Sequence, residues 1–220
     1  MKKYISTFIK SLIAGILIAL GGVTILSLVS SEGYIGKLLF GLVFLIVFIF
    51  ELDLFNNRLS DVFDSKPIFI VDLVIMLVGN ILGAFCTGKL LLLTSYGYFY
   101  NSFAEHMNMM KFTNTYIGTF FLAVFCGMLM YFAYVGFKKA PNYLIKTLVV
   151  IFCSSAFLFC KFDHAILDVF FFTIGKCWSV EAGIITLCTI AGNIVGTIFI
   201  AGLVKITNIL TVKKTEKIEE

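Results

Sequence analysis

Lys161, Asp163, His164 and Asp168 stand together in the run F-L-F-C-K-F-D-H-A-I-L-D, residues 157–168, between two long apolar stretches at 144–160 and 165–174. Polar charge at bilayer depth costs roughly 2.5–3.5 kcal/mol per group on insertion scales, so it persists where it faces a cavity or a partner. Of the four, the histidine can exchange a proton near neutral pH, its unperturbed pKa being ~6.5. That is the chemistry a small weak acid needs. An anion must shed water to cross an apolar constriction, where a bare charge costs several kcal/mol or more, and protonation in transit removes the charge. Direct proton donation by His164 and polarisation of the substrate's own acidity are both open from sequence. The bland alternative is a buried histidine bonded to a carbonyl.

Lys161, His164 and Asp168 fall at i, i+3 and i+7, one face of a helix if it continued unbroken. Two readings of Lys161 follow. It forms an ion pair with Asp168 that satisfies the break, or it draws anions into a wet vestibule. A second polar interruption, E-L-D-L-F-N-N-R at 51–58, follows an apolar run of thirteen residues at 38–50. Crossing the hydrocarbon takes about 20 residues, so this helix is expected to break within the membrane. Asp53, Leu54 and Asn56 lie in that break.

The elements that must hold these breaks are apolar. The chain has 220 residues, is 60% hydrophobic and 14% charged, and contains 25 phenylalanines and 2 prolines; mean hydropathy is +1.03. Those values describe an integral membrane protein and leave nucleic acid without a role. The six cysteines are scattered through apolar segments without metal spacing, so no metal or other cofactor is implied. Neither H-E-x-x-H nor G-x-S-x-G occurs, which argues against an enzyme.

Two stretches, G-N-I-L-G from Gly79 and G-N-I-V-G from Gly192, repeat at a shift of 113 residues, and the same shift carries the first break onto the second. The expected fold is therefore all-α, with six transmembrane helices in a 3+3 inverted repeat whose second and fifth helices are broken. Paired breaks in such halves point to a binding site at the midplane. Asn80 and Asn193, beside their glycines, are expected to bridge helices.

The chain reads as a single transmembrane domain, 1–220, with repeat one over about 11–95 and repeat two over about 115–207. The segment 30–33 reads as a turn, 94–113 as a polar loop and 208–220 as a charged cytoplasmic tail. The basic N-terminus lacks a cleavage site after its long apolar run and reads as an uncleaved first span. Placing both termini and the second and fourth loops on one side gathers 12 of the 17 basic residues there: Lys2, Lys3, Lys10, Arg58, Lys66, Lys138, Lys139, Lys146, Lys205, Lys213, Lys214 and Lys217. By the positive-inside rule the termini are cytoplasmic in a plasma or inner membrane.

The motifs E-L-D-L-F-N from Glu51, V-G-N-I-L-G-A from Val78, F-D-H-A-I-L-D from Phe162 and G-N-I-V-G from Gly192 resemble those of the formate/nitrite transporter family. The resemblance implies a lipid-embedded homopentamer with an aquaporin-like hourglass pore in each protomer. It implies passage of small monovalent anions or their weak acids: formate, nitrite, hydrosulfide or short carboxylates. His164 matches the family's central histidine, and Leu52 and Asn56 belong to its first broken helix. By the same resemblance Leu38, Leu42 and Leu52 form one constriction and Phe157 the other. Leu54 stands where a threonine is usual, Asp53 where an apolar residue is, Lys161 for glycine, Asp163 for glutamate, Asp168 for asparagine and Gly127 for asparagine. The rival reading, a substrate-binding membrane subunit of a vitamin-uptake complex, shares the span count but not the inverted repeat.

Overall fold

The computed structural model describes residues 2–28 and 34–219, with side chains described as far as residue 211. The turn expected at 30–33 lies outside the described residues. Every regular element among them is helical: α1 Lys2–Ser27, α2 Tyr34–Ile49, α3 Phe55–Arg58 followed by a 3₁₀ turn Leu59–Asp64, α4 Phe69–Leu92, α5 Gly97–Phe112, α6 Tyr116–Lys139, α7 Tyr143–Phe159, α8 Ala165–Ile174 and α9 Val180–Glu219. Four are long and apolar enough to cross a membrane: α1, α4, α6 and the Val180–Thr211 part of α9. The shorter apolar helices are α2, α7 and α8.

Two tight pairs, α1 with α4 and α6 with α9, frame the molecule, and α2 and α7 pack on each other between them. Each pair is brought close by a glycine facing a backbone carbonyl. A Cβ on Gly15 would collide with the Asn80 carbonyl, and one on Gly127 with that of Asn193. Thr197 closes the second crossing by donating to the Gly127 carbonyl at 3.0 Å. The asparagine expected at position 127 by resemblance would have no room there.

The interruptions after α2 and α7 are built alike. Leu52 N donates to Val47 O at 2.9 Å and Phe162 N to Phe157 O at 2.8 Å. The residue before each donor has positive φ, 49° at Glu51 and 58° at Lys161. This is the left-handed helix end that glycine usually occupies, so both side chains sit in a strained position. These residues differ by 161 − 51 = 110 positions, whereas the G-N-I motifs differ by 113. The sequence shift therefore places the second break three residues late.

One sequence expectation is corrected. Residues 94–113 are not a loop, because Gly97–Phe112 is helix α5. Its partners explain why: Asn101 Nδ2 donates to Ile174 O at 3.0 Å and Asn108 Nδ2 to Phe171 O at 2.8 Å. Helix α9 runs on through the segment from 208 to Glu219.

Candidate functional site

The two motif asparagines are the clamps that shape the breaks. Asn80 Oδ1 accepts from Phe55 N at 2.8 Å, and its Nδ2 donates to Ser11 O at 2.7 Å and Asp53 O at 3.0 Å. Asn193 does the same for the second break, accepting from Ala165 N at 3.1 Å and donating to Asp163 O and Ala123 O, each at 2.9 Å. Both amides are buried, where backbone freed from a helix must find a partner. Asn193 Oδ1 also accepts from Asn56 Nδ2 at 2.9 Å. One carboxamide thus ties the two breaks together across the fold.

Between the clamped positions stand Leu54 and His164, the N-caps of α3 and α8. Leu54 provides no side-chain cap, whereas His164 Nδ1 accepts from Leu167 N at 3.4 Å. An accepting Nδ1 carries no proton, so the neutral ring holds its hydrogen on Nε2. That nitrogen is buried and has no hydrogen-bond partner among the described residues. The ring, 1% exposed, stacks on Phe157 with centroids 5.5 Å apart and meets Phe44 edge-on at 5.8 Å. Phe40 packs on Phe157 at 5.8 Å and on Phe44 at 5.5 Å. The three phenylalanines are fully buried and form an apolar wall beside the imidazole, and Leu54 is equally buried.

A cavity opens near each end of the helix bundle. The first, about 550 Å³, is lined by Lys3, Lys10, Arg58 and Lys138 together with Glu51, Leu52 and Asp53. The second, about 410 Å³, is lined by Lys37, Lys111 and Lys161 with Asp163, His164 and Asp168. Helix α1 gives Lys10 to the first and Ile25 to the second. At 1.5 Å per residue those positions are about 22 Å apart.

The charges are paired with care. Arg58 reaches Asp61 at 2.9 Å and Asp53 at 3.4 Å in the first cavity. At the second, Lys111 of α5 bridges Asp163 and Asp168, the latter at 2.7 Å. Burial works to lower the Lys111 pKa, but Asp168 and Asp163 outweigh it and hold it above the ordinary lysine value, so the ammonium stays charged. Lys161 forms no ion pair among the described residues and lies exposed on the cavity wall. The proposed Lys161–Asp168 pair is therefore replaced by Lys111–Asp168, because the left-handed turn at Lys161 and the approach of α5 set their geometry.

His164, Asp163, Asp168, Lys161 and Phe157 are brought together; Leu52 and Asp53 line the other cavity, and Leu54 and Asn56 are buried in the first break. Leu38 and Leu42 are 48% and 41% exposed, while on another side of α2 Phe44 faces the histidine and Phe40 faces Phe157. Sequence reasoning missed Lys111, Phe40 and Phe44. The signal for the first was present: Asn101, Ala104, Asn108 and Lys111 recur at i, i+3, i+7 and i+10, one face of a helix. Phe40, Phe44 and Phe48 likewise recur every four residues.

The sequence model of a family described as Formate/nitrite transporter matches residues 1–207. No sequence match was found among curated proteins. Among solved structures, the chain is similar to a "Pentameric formate channel with formate bound", with TM-score 0.80 and 19% identity, over 95% of this chain and 98% of that one. It is also similar to an "FNT family ion channel", with TM-score 0.80 and 18% identity, over 93% of this chain and 90% of that one.

Proposed function

Because the chain belongs to the formate/nitrite transporter family, whose members are membrane channels and not enzymes, we propose that it passes small monovalent anions as their conjugate weak acids, with His164 assisting protonation. The substrates of this reading are formate, nitrite, hydrosulfide and short carboxylates. The chain is a homopentamer in the plasma membrane, each protomer having its own route, with both termini cytoplasmic. In this architecture α2 with α3, and α7 with α8, complete two spans beside the four long ones. The six form one transmembrane domain of two inverted repeats, about 11–95 and 115–207.

The observation that carries the reading is His164 beside a buried phenylalanine wall, lining one of two charged cavities at opposite ends of the bundle. Lys161 and Lys37 raise the local anion concentration in the second cavity. The anion meets the Nε2–H of His164 before it meets Phe40, Phe44 and Phe157. There the dry surroundings penalise the charge, and the neutral acid form crosses. In the first cavity Lys10, Arg58 and solvent receive the acid, which ionises again. The constriction is assigned to Phe40, Phe44 and Phe157 rather than to Leu38 and Leu42. Asp53 is held by Arg58, and Leu54 keeps the first break apolar where a hydroxyl would wet it.

Proteoliposomes containing the purified protein should take up weak-acid anions faster at pH 5.5 than at pH 7.5, roughly in the proportion of the acid form, when formate, nitrite, hydrosulfide, acetate and lactate are compared. Uptake no faster than in empty liposomes for all five would end this reading.

A further inference from the structure

Asp163 and Asp168 share a single buried cation. Lys111 contacts both carboxylates, and Asp168 is only 2% exposed. If both acids were ionised the cluster would carry a net negative charge inside the protein, where an unbalanced charge costs several kcal/mol. The hydrogen inventory points the same way. Thr189 Oγ1 lies 3.3 Å from Asp168 Oδ2 and 3.0 Å from Ile185 O. A hydroxyl has one hydrogen, and the shorter contact, to a carbonyl that can only accept, takes it. With Oδ2 protonated, Asp168 can donate to Thr189 Oγ1 while Thr189 gives its own hydrogen wholly to the Ile185 carbonyl. Lys111 meanwhile donates to Oδ1. One proton on Asp168 makes the cluster neutral and pairs every group in it.

We propose that Asp168 holds a proton at neutral pH and is a proton reservoir for the second cavity, which it lines together with His164. Its presence there does not depend on the transport reading, although its destination does. The charged and titratable groups facing it are Lys111 from α5 and Asp163 from the break, with His164, Lys161 and Lys37 around the same cavity. Cys126 of α6 lies in the field of both carboxylates. Helices α1, α4 and α9 bring no charged side chain into that cavity among the described residues. In the proton step the Oδ2–H bond of Asp168 breaks and the proton passes to the incoming anion, forming an O–H or S–H bond of the neutral acid. The Asp168 carboxylate is left paired with Lys111, and it recovers a proton from solvent in the cavity.

Infrared spectroscopy of the detergent-purified pentamer tests this through the carbonyl stretch of a protonated carboxylic acid. The expected result is one such band at pH 7, lost in Asp168→Asn and shifted in Thr189→Val, which removes the group that faces Asp168 Oδ2. In proteoliposomes Asp168→Asn should lose one step of the pH profile of formate uptake. No band in the wild type, or a band that survives in Asp168→Asn, would overturn the proposal. Failure of Asp168→Asn to assemble would do so as well, because an amide offers the same donor and acceptor as the protonated acid. An unchanged pH profile despite the expected band would overturn the reservoir role. If the wild type carries no weak acid at all, the transport reading falls and the reservoir role with it, while the band alone decides whether Asp168 holds the proton.

Discussion

Lys111→Met is expected to remove most folded pentamer from detergent extracts. Stripping one partner from a buried ion pair costs about 3–5 kcal/mol, because the charge left behind has neither water nor counter-ion, and that is a large share of a typical folding free energy. Lys111 also fastens α5 to the second break, so its loss frees a strap as well as a charge. With Asp168 already neutral, Asp163 is the carboxylate left stranded, and Lys111→Met combined with Asp163→Asn should restore yield. Size-exclusion yield and thermal stability of the two variants decide the matter. Full yield from Lys111→Met alone would contradict the account. Lys161→Gly is the informative control. Lys161 has no ion pair to lose among the described residues, and glycine relieves a φ of 58°, worth roughly 1–2 kcal/mol. It should assemble at least as well as wild type and show weaker anion affinity at low salt.

The second large effect concerns the aromatic wall. Phe44→Ala with Phe157→Ala should leave a pentamer that conducts permanently charged anions such as chloride, because the dry barrier on which charge discrimination depends is gone. Weak-acid flux should become nearly independent of pH in the same variant. Planar-bilayer conductance reads this directly. If the two phenylalanines only fill space, each truncation costs about 3–5 kcal/mol of stability and no conductance appears.

How much of this was legible in the sequence follows from what local pattern can carry. The apolar runs predicted helices closely: 144–160 against Tyr143–Phe159, and 165–174 against Ala165–Ile174. A span needs only hydrophobic length, which is a property of one segment. The breaks were legible for the same reason, since E-L-D-L-F-N and K-F-D-H interrupt runs that would otherwise continue. The motif asparagines could be read as bridges, but not as clamps on Asp53 and Asp163, because those contacts join residues about 30 positions apart. The partner of Asp168 was out of reach for a related reason. Lys111 lies 57 positions away on a polar helix, and its pairing depends on where α5 lands on α8. Leu38 and Leu42 were carried over by the family resemblance, and both are exposed in the protomer. Phe40 and Phe44 took the inward face because that side packs on Phe157.

The central claim is that protonation at His164 governs passage, and His164→Asn tests it with the least disturbance. Asparagine retains an oxygen that can accept from Leu167 N and so keeps the cap of α8, while it removes the imidazole that lines the second cavity. Formate uptake by pentamers of both proteins in liposomes at pH 5.5 and pH 7.5 is the measurement. The account predicts a clear acid stimulation in wild type that flattens in His164→Asn. The same acid stimulation in an assembled His164→Asn pentamer would contradict it.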